Sequence, residues 1–187
     1  MEPPKYVSFN RQLYSTFCSY NMTQSWADMY FWELLLNETK VDAIIELGTA
    51  WGGFSLFLST QAKMRGCKFH TFDCVDHRTA KEDECFGQRK LKSYDLGNEF
   101  MCLDVFANKD VVEKTIMLYN KIVLFCDDGN KPKEIQLYGP CLKSGSICCV
   151  HDFGMEIFVK DIPEYFKSYM HDDSEKLDCL TRGYIKD

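Results

Sequence analysis

A short unbroken apolar run from Val41 to Leu47 ends at Gly48, and a bend carrying Gly52 and Gly53 then opens a helical pattern that closes on Lys63, Arg65 and Gly66. Cations in a last turn with a glycine just beyond it are helix-stop signals. This strand–bend–helix order constrains the fold most, because it recurs. Lys68 to Asp73 reads as a second strand and Phe100 to Leu103 as a short third. Asn108 can cap a helix through Tyr119, with Asp110 and Glu113 suited to its first turn. Lys121 to Cys126 is a fourth strand of the fully buried kind; Pro132 can start a short helix, and Lys143-Ser144-Gly145 turns into a fifth strand, Ser146 to Val150. Runs apolar on both faces, alternating with helices, predict an α/β chain with a mostly parallel sheet covered on both sides.

The predicted architecture is therefore Rossmann-like, one domain over residues 1–187. Residues 1–40 would form an N-terminal helical cap, in which Thr23 or Ser25 caps a helix through Asn37 with Trp26, Met29, Tyr30 and Leu34 at helical spacing. Residues 41–153 would form the core that holds a ligand. Residues 154–187 would supply a last helix, Glu156 to Met170, and one short strand.

The formal net charge of −6 lacks the basic face that a phosphate-backbone binder needs, so no nucleic acid is expected. Arg89, Lys90 and Lys92 read as a solvated helix face. Ten cysteines suggest disulfides only in another context. Met1-Glu2-Pro3-Pro4-Lys5 is polar rather than a basic-then-apolar leader, no C-x-x-C pair occurs, and Cys126, Cys148 and Cys149 lie in apolar strands as small hydrophobes. Reduced core thiols in a cytoplasmic protein are expected. The apolar runs are far shorter than a membrane span.

Open parallel sheets bind ligands at the carboxyl ends of their strands. The first such end is Glu46-Leu47-Gly48-Thr49-Ala50-Trp51-Gly52-Gly53. Glycine admits backbone conformations closed to other residues, and the helix that follows offers free N–H donors. The G-x-G-x-x-G of a pyrophosphate loop is absent. An acid ahead of the first glycine disfavours a pyrophosphate and suits a cation; S-adenosylmethionine, with its ammonium and sulfonium, has matching signs. Asp73, about twenty residues after Gly53, can accept the hydroxyls of an adenosine ribose, with Asp76 as a nearby substitute. Asp104, after the third strand, is placed for the adenine edge. Trp51 can shield such a ligand or pack under the first helix.

Here the sequence resembles the class I S-adenosylmethionine-dependent methyltransferases. It is closest to a subgroup with an E-x-G-x-x-x-G-G first motif that includes cephalosporin-hydroxylase-like and macrolide-sugar O-methyltransferase relatives. The resemblance runs from about Val41 to Phe153 and is anchored again by Leu124-Phe125-Cys126-Asp127-Asp128-Gly129-Asn130-Lys131-Pro132, Leu142-Lys143-Ser144-Gly145-Ser146 and Val150-His151-Asp152-Phe153. It implies methyl transfer to a small-molecule acceptor, with Glu46 and the loop glycines Gly48, Gly52 and Gly53 on the methionine part, Asp73 on the ribose and Asp104 near adenine. Many relatives form homo-oligomers, although no segment here marks an interface. The family sheet ends in an antiparallel hairpin. With only Leu177 to Asp187 left after the last predicted helix, that hairpin is expected to be reduced or missing.

In-line methyl transfer asks a protein mainly to align donor and acceptor. A hydroxyl acceptor also has to lose a proton, to a base or with help from a metal. Asp127 or Asp128, His151 and Asp152 converge at the ends of the fourth and fifth strands. His151 is the candidate base, since histidine alone has an ordinary pKa near neutrality; a structural strand-end histidine is the alternative. Asp127, Asp128 and Asp152 offer oxygen ligands for Mg²⁺, although metal-dependent relatives carry two adjacent acids where this chain has His151-Asp152. His70 reads as packed mid-strand, His77 and His171 as exposed, and Asp172-Asp173 as a solvated turn. Two other classes compete with the enzyme. One is a nucleoside-binding module or interaction subunit without turnover; the other is a nicotinamide-dependent oxidoreductase, which Glu46 and the missing G-x-G oppose.

Overall fold

The computed structural model describes residues 15–18, 20–76 and 99–187. Met1–Lys5, His77 and the basic run Arg89, Lys90 and Lys92 lie outside the described residues. The chain opens with a small antiparallel hairpin, β1 (Ser15–Phe17) and β2 (Tyr20–Met22), followed by α1 (Trp26–Glu38). Ser25, not Thr23, caps α1 in a reciprocal box with Asp28, which satisfies otherwise orphaned N–H groups.

The strand–helix alternation then gives β3 (Ala43–Leu47), α2 (Gly53–Arg65), β4 (Lys68–Asp73), β5 (Phe100–Cys102), α3 (Lys109–Met117), β6 (Ile122–Cys126), α4 (Lys131–Tyr138) and β7 (Ile147–Val150). The sheet order is β5-β4-β3-β6-β7-β9-β8, with β9 (Arg182–Lys186) and β8 (Phe166–Tyr169) antiparallel at one edge and the other strands parallel. Every residue of β3, β6 and β7 is buried. Side chains alternate across a strand, so Ile44, Val123, Phe125, Ile147 and Cys149 face α1 and α2, where Phe31, Trp32, Phe54 and Phe57 cover them. Ile45, Leu47, Leu124, Cys126, Cys148 and Val150 face the opposite layer, covered by Val112, Ile116, Ile135 and Tyr138. This is the α/β, Rossmann-like arrangement expected from the pattern.

Two expectations about the C-terminus are corrected. Glu156 to Met170 is not a helix: it holds a 3-10 turn at Val159–Asp161 and then β8, while α5 (His171–Lys176) begins only afterwards. Pro163 explains the break, since it lacks an amide hydrogen and its ring clashes with a preceding helical turn. Nor is the terminal hairpin missing. The tail supplies β9, which inserts between β7 and β8 and pairs with both. Every described cysteine is free, and no described helix is long and apolar enough to cross a membrane.

Candidate functional site

The loop from β3 to α2 is shaped by three residues with positive φ. Gly48 has φ +99°, and a Cβ there would lie 2.4 Å from the Asp127 carbonyl oxygen. Only a bare backbone lets the loops after β3 and β6 touch. Ala50 (φ 45°) donates its N–H to Asp73 Oδ2 at 2.8 Å, and Gly52 (φ 80°) forms the left-handed entry to α2. At Gly53 a Cβ would lie 2.2 Å from the carbonyl oxygen of Asn21, so β2 lies directly on the first turn of α2. Trp51 is half-buried within this loop.

The expected acids fall into two groups. Glu46, 1% exposed, accepts hydrogen bonds from the hydroxyls of Ser55 and Thr71. Burial pushes its pKa up to about 8, against those two hydrogen bonds. It therefore faces hydroxyls behind the glycine loop as a neutral acid. Asp73 ends β4 and also accepts from the Val75 N–H at 3.0 Å. Asp104 turns the chain after β5, taking the N–H groups of Phe106 and Ala107 on Oδ1 at 2.7 and 3.1 Å. Asp128 has its pKa raised to about 7 by burial and by the nearby carboxylates of Asp73, Asp104 and Asp127. Asp73, Asp104, Asp127 and Asp128 thus lie near one another at the carboxyl ends of β4, β5 and β6. Glu134 clamps the β6 loop by accepting the N–H groups of Asn130 and Asp128 at 3.0 and 3.3 Å.

Beside these acids lies a charged knot. Lys131, 3% exposed, directs Nζ to Asp127 Oδ1 at 3.3 Å, Asp152 Oδ2 at 3.0 Å and Glu156 Oε2 at 2.7 Å. His151 Nδ1 lies 3.4 Å from Asp127 Oδ1 and 3.3 Å from Asp152 Oδ1. Its Nε2 is 3.9 Å from Asp28 Oδ2, an ion pair too long for a hydrogen bond, and has no hydrogen-bond partner. Asp28 is fully buried: Oδ2 takes the Ser25 N–H and hydroxyl at 3.0 and 2.6 Å, and Oδ1 takes the Thr181 N–H and hydroxyl at 3.0 and 2.7 Å. Burial alone would lower the pKa of His151, but Asp127, Asp152 and Asp28 outweigh it and hold it well above 6.5. Burial would raise that of Asp28, yet His151, Ser25 and Thr181 bring it down to about 2. A cavity of about 380 Å³ opens onto Ala50, Asp127, Lys131, His151, Asp152 and Met155, within the range of small-molecule sites.

Asp127, His151 and Asp152 thus meet as expected, with ligand atoms within 4.8 Å of one another. Asp128 is not part of that group. The expected Mg²⁺ set of Asp127, Asp128 and Asp152 does not fit: Mg²⁺ needs near-ideal octahedral oxygens, and the oxygens here already face an ammonium and an imidazolium. Among the histidines, His70 is packed, its Nε2 2.7 Å from the Tyr119 hydroxyl. His171 is half-buried, not exposed, with Nε2 3.0 Å from the Gly183 carbonyl, and Asp172 and Asp173 open α5. Sequence pattern alone gives Lys131 no role and passes over Gln24, Asp28 and Glu156. The i,i+4 spacing from Asp127 to Lys131 is an available signal, and Ser25-x-x-Asp28 has capping-box spacing. Gln24 and Glu156 carry none.

No protein-family model and no curated protein matches the chain, but solved structures do. The apo structure of CmcI shares 13% identity, covering 94% of this chain and 70% of that one, at a TM-score of 0.52. The chain shares the Rossmann-like α/β fold of that structure. An S-adenosylmethionine-dependent O-methyltransferase from Thermotoga maritima matches at 16% identity over 66% of this chain and 43% of its own, TM-score 0.44. A proposed caffeoyl-CoA O-methyltransferase from Staphylococcus aureus matches at 17% over 66% of this chain, TM-score 0.46; the chain spans 56% of its length. Within this fold, the acids and the knot occupy the carboxyl-end rim where such sheets bind ligands.

Proposed function

We propose that the chain binds S-adenosylmethionine in the crevice between the glycine loop and Asp73, and transfers its methyl group to an oxygen of a small-molecule acceptor in the adjoining cavity. The observation that carries this is the gathering of Asp73, Asp104, Asp127 and Asp128 at the ends of β4, β5 and β6, where burial and then the neighbouring carboxylates raise the pKa of Asp128 to about 7. Acids held so close favour a cationic ligand and oppose a phosphate. S-adenosylmethionine brings a methyl group on a sulfonium; the protein's own part is to hold and align.

Asp73 keeps lone pairs beyond those used by Ala50 and Val75, since an ionised carboxylate has about four acceptor sites, and takes the ribose hydroxyls. Asp104 lies toward the adenine edge. Gly48, Gly52 and Gly53 with the start of α2 receive the methionine part, and Trp51 covers it. Glu46 acts through Ser55 and Thr71, as a positioning residue for the loop. His151, held charged, fixes Asp127 and Asp152 rather than removing a proton. Asp127, on the cavity wall and already facing Lys131, His151 and Gln24, orients the acceptor hydroxyl, whose proton leaves to water. Free thiols at every described cysteine support a cytoplasmic setting.

A second reading, a nucleoside-binding module without turnover, is favoured by two contacts. Asn21 lies over Gly53, and Asp73 is already engaged by two backbone amides. Incubation with methyl-labelled S-adenosylmethionine and a panel of phenolic and sugar hydroxyl acceptors separates the two. Release of S-adenosylhomocysteine with a labelled product supports the enzyme. Binding without release from any acceptor supports the module.

A further inference from the structure

Lys131 is an improbable residue where it stands. It is the first residue of α4, where the helix dipole is positive and an ammonium is disfavoured. Its side chain is only 4% exposed, and lysines are almost never buried unless paired. Three carboxyl groups offset both costs. Asp127 and Asp152 come from the ends of β6 and β7, and Glu156 from the loop beyond; their oxygens surround one nitrogen at 3.3, 3.0 and 2.7 Å. The ammonium donates to Glu156, and the Asp127 and Asp152 carboxyl groups lie at ion-pair distance from the same nitrogen. His151 contributes a second cation on the far side of Asp127 and Asp152.

Oxygens from several chain segments converging on one buried point are what a protein builds for a hard cation. We propose that Lys131 is the resident cation of this pocket: its ammonium fills the position a divalent ion would take, and the protein binds none there. Two consequences follow. The native site has no use for Mg²⁺ or Mn²⁺, whatever reaction it serves. Removing the amine leaves Asp127, Asp152 and Glu156 converging on a vacated point, which a divalent ion can then enter. Glu156, half-exposed at 50%, is the partner best able to move as the ion arrives.

The test is Mn²⁺ alone, titrated against the full-length protein and followed by the loss of the free-ion electron paramagnetic resonance signal. The wild-type protein is expected to show no saturable site at millimolar Mn²⁺. Lys131→Ala is expected to bind one Mn²⁺ per chain, at least about tenfold tighter than any wild-type binding, because the positive charge that occupies that position has been removed. Lys131→Ala/Asp152→Asn should lose that site again. Lys131→Met keeps most of the buried stem and serves if the alanine variant does not fold. A stoichiometric wild-type site that disappears in Asp152→Asn would overturn the proposal, as would a folded Lys131 variant that takes up no Mn²⁺. Neither result depends on methyl transfer, so the resident cation and the proposed activity fail separately.

Discussion

Gln24 donates from Nε2 to Asp127 Oδ2 at 2.6 Å, joining the turn before α1 to the loop after β6 across 103 residues of chain. Gln24 is itself buried, so the N-terminal segment forms one wall of the crevice. A hydrogen bond to a charged group contributes about 1.5–3 kcal/mol. Gln24→Leu is therefore expected to weaken S-adenosylhomocysteine binding roughly tenfold while the melting temperature falls only slightly. A lowered melting temperature with unchanged affinity would confine the bond to a structural role.

The two glycines on either side of the loop should respond differently to a methyl group. Gly48→Ala must hold an alanine at φ +99° and push the Asp127 backbone away from a 2.4 Å contact. It should cost more than about 2 kcal/mol in urea unfolding. Gly53→Ala strikes the backbone carbonyls of Asn21 and Tyr20, both on β2, and a three-residue strand can lift. The expected result is a small global loss and faster amide hydrogen exchange at residues 20–22. Equal global losses would show that the hairpin is as rigid as the sheet.

Glu46 gives stability a definite pH dependence. Its carboxyl has a folded pKa of about 8 against an ordinary 4.5, so the folded chain keeps a proton that the unfolded chain releases. Stability then falls as pH rises from about 4.5 through 8 and levels off above. Every tenfold difference in proton affinity between the folded and unfolded chain is worth about 1.4 kcal/mol. Glu46→Gln removes this titration and should flatten that decline by a few kcal/mol; Glu134, also raised to about 8 by burial, leaves a residual slope of the same sign. Urea melts at pH 5 and pH 8 measure both. A slope unchanged in Glu46→Gln would contradict the buried neutral acid.

His151 is held in the charged form. Its stabilising pair with Asp127, Asp152 and Asp28 is fully present below its ordinary 6.5 and is lost only as pH rises through its elevated folded value. The Asp28 side is present above its ordinary 3.8 and lost as pH falls through about 2. The His151 ring carbons should keep imidazolium chemical shifts at pH 8. Titration near 6.5 would restore His151 as the candidate base.

Much of this molecule was legible in its sequence because periodicity reports local structure. β3, the glycine bend and α2 announce themselves through an apolar run, two glycines and a cationic last turn. β8 did not. Phe166–Tyr169 is four residues long and gains its hydrogen bonds from β9, a partner that no local pattern specifies. Sequence also marked the acids at the strand ends without showing which way each points. Glu46 turns back to Ser55 and Thr71, while Asp128 turns into the field of Asp73 and Asp104. The pairing of Asp28 with Thr181, 153 residues apart, is a product of tertiary packing alone.

Asp128 supplies a proton-linked test of ligand charge. With its pKa at about 7, it is part-protonated at neutrality, and a cation bound beside it lowers that value. S-adenosylmethionine should therefore release protons on binding and bind more tightly as pH rises from 6 to 8. S-adenosylhomocysteine, without the sulfonium, should release fewer. Titration calorimetry in two buffers of different ionisation enthalpy counts the protons. Identical release for both ligands would move the sulfonium away from Asp128.

The most direct measurement is calorimetric titration of the wild-type protein and Asp73→Ala with S-adenosylhomocysteine, with NAD as the comparison. Expected are one saturable site per chain for S-adenosylhomocysteine, no heat with NAD, and affinity at least about tenfold weaker in Asp73→Ala at an unchanged melting temperature. Absence of S-adenosylhomocysteine binding, tighter binding of NAD, or an Asp73→Ala variant that binds like wild type would contradict the account.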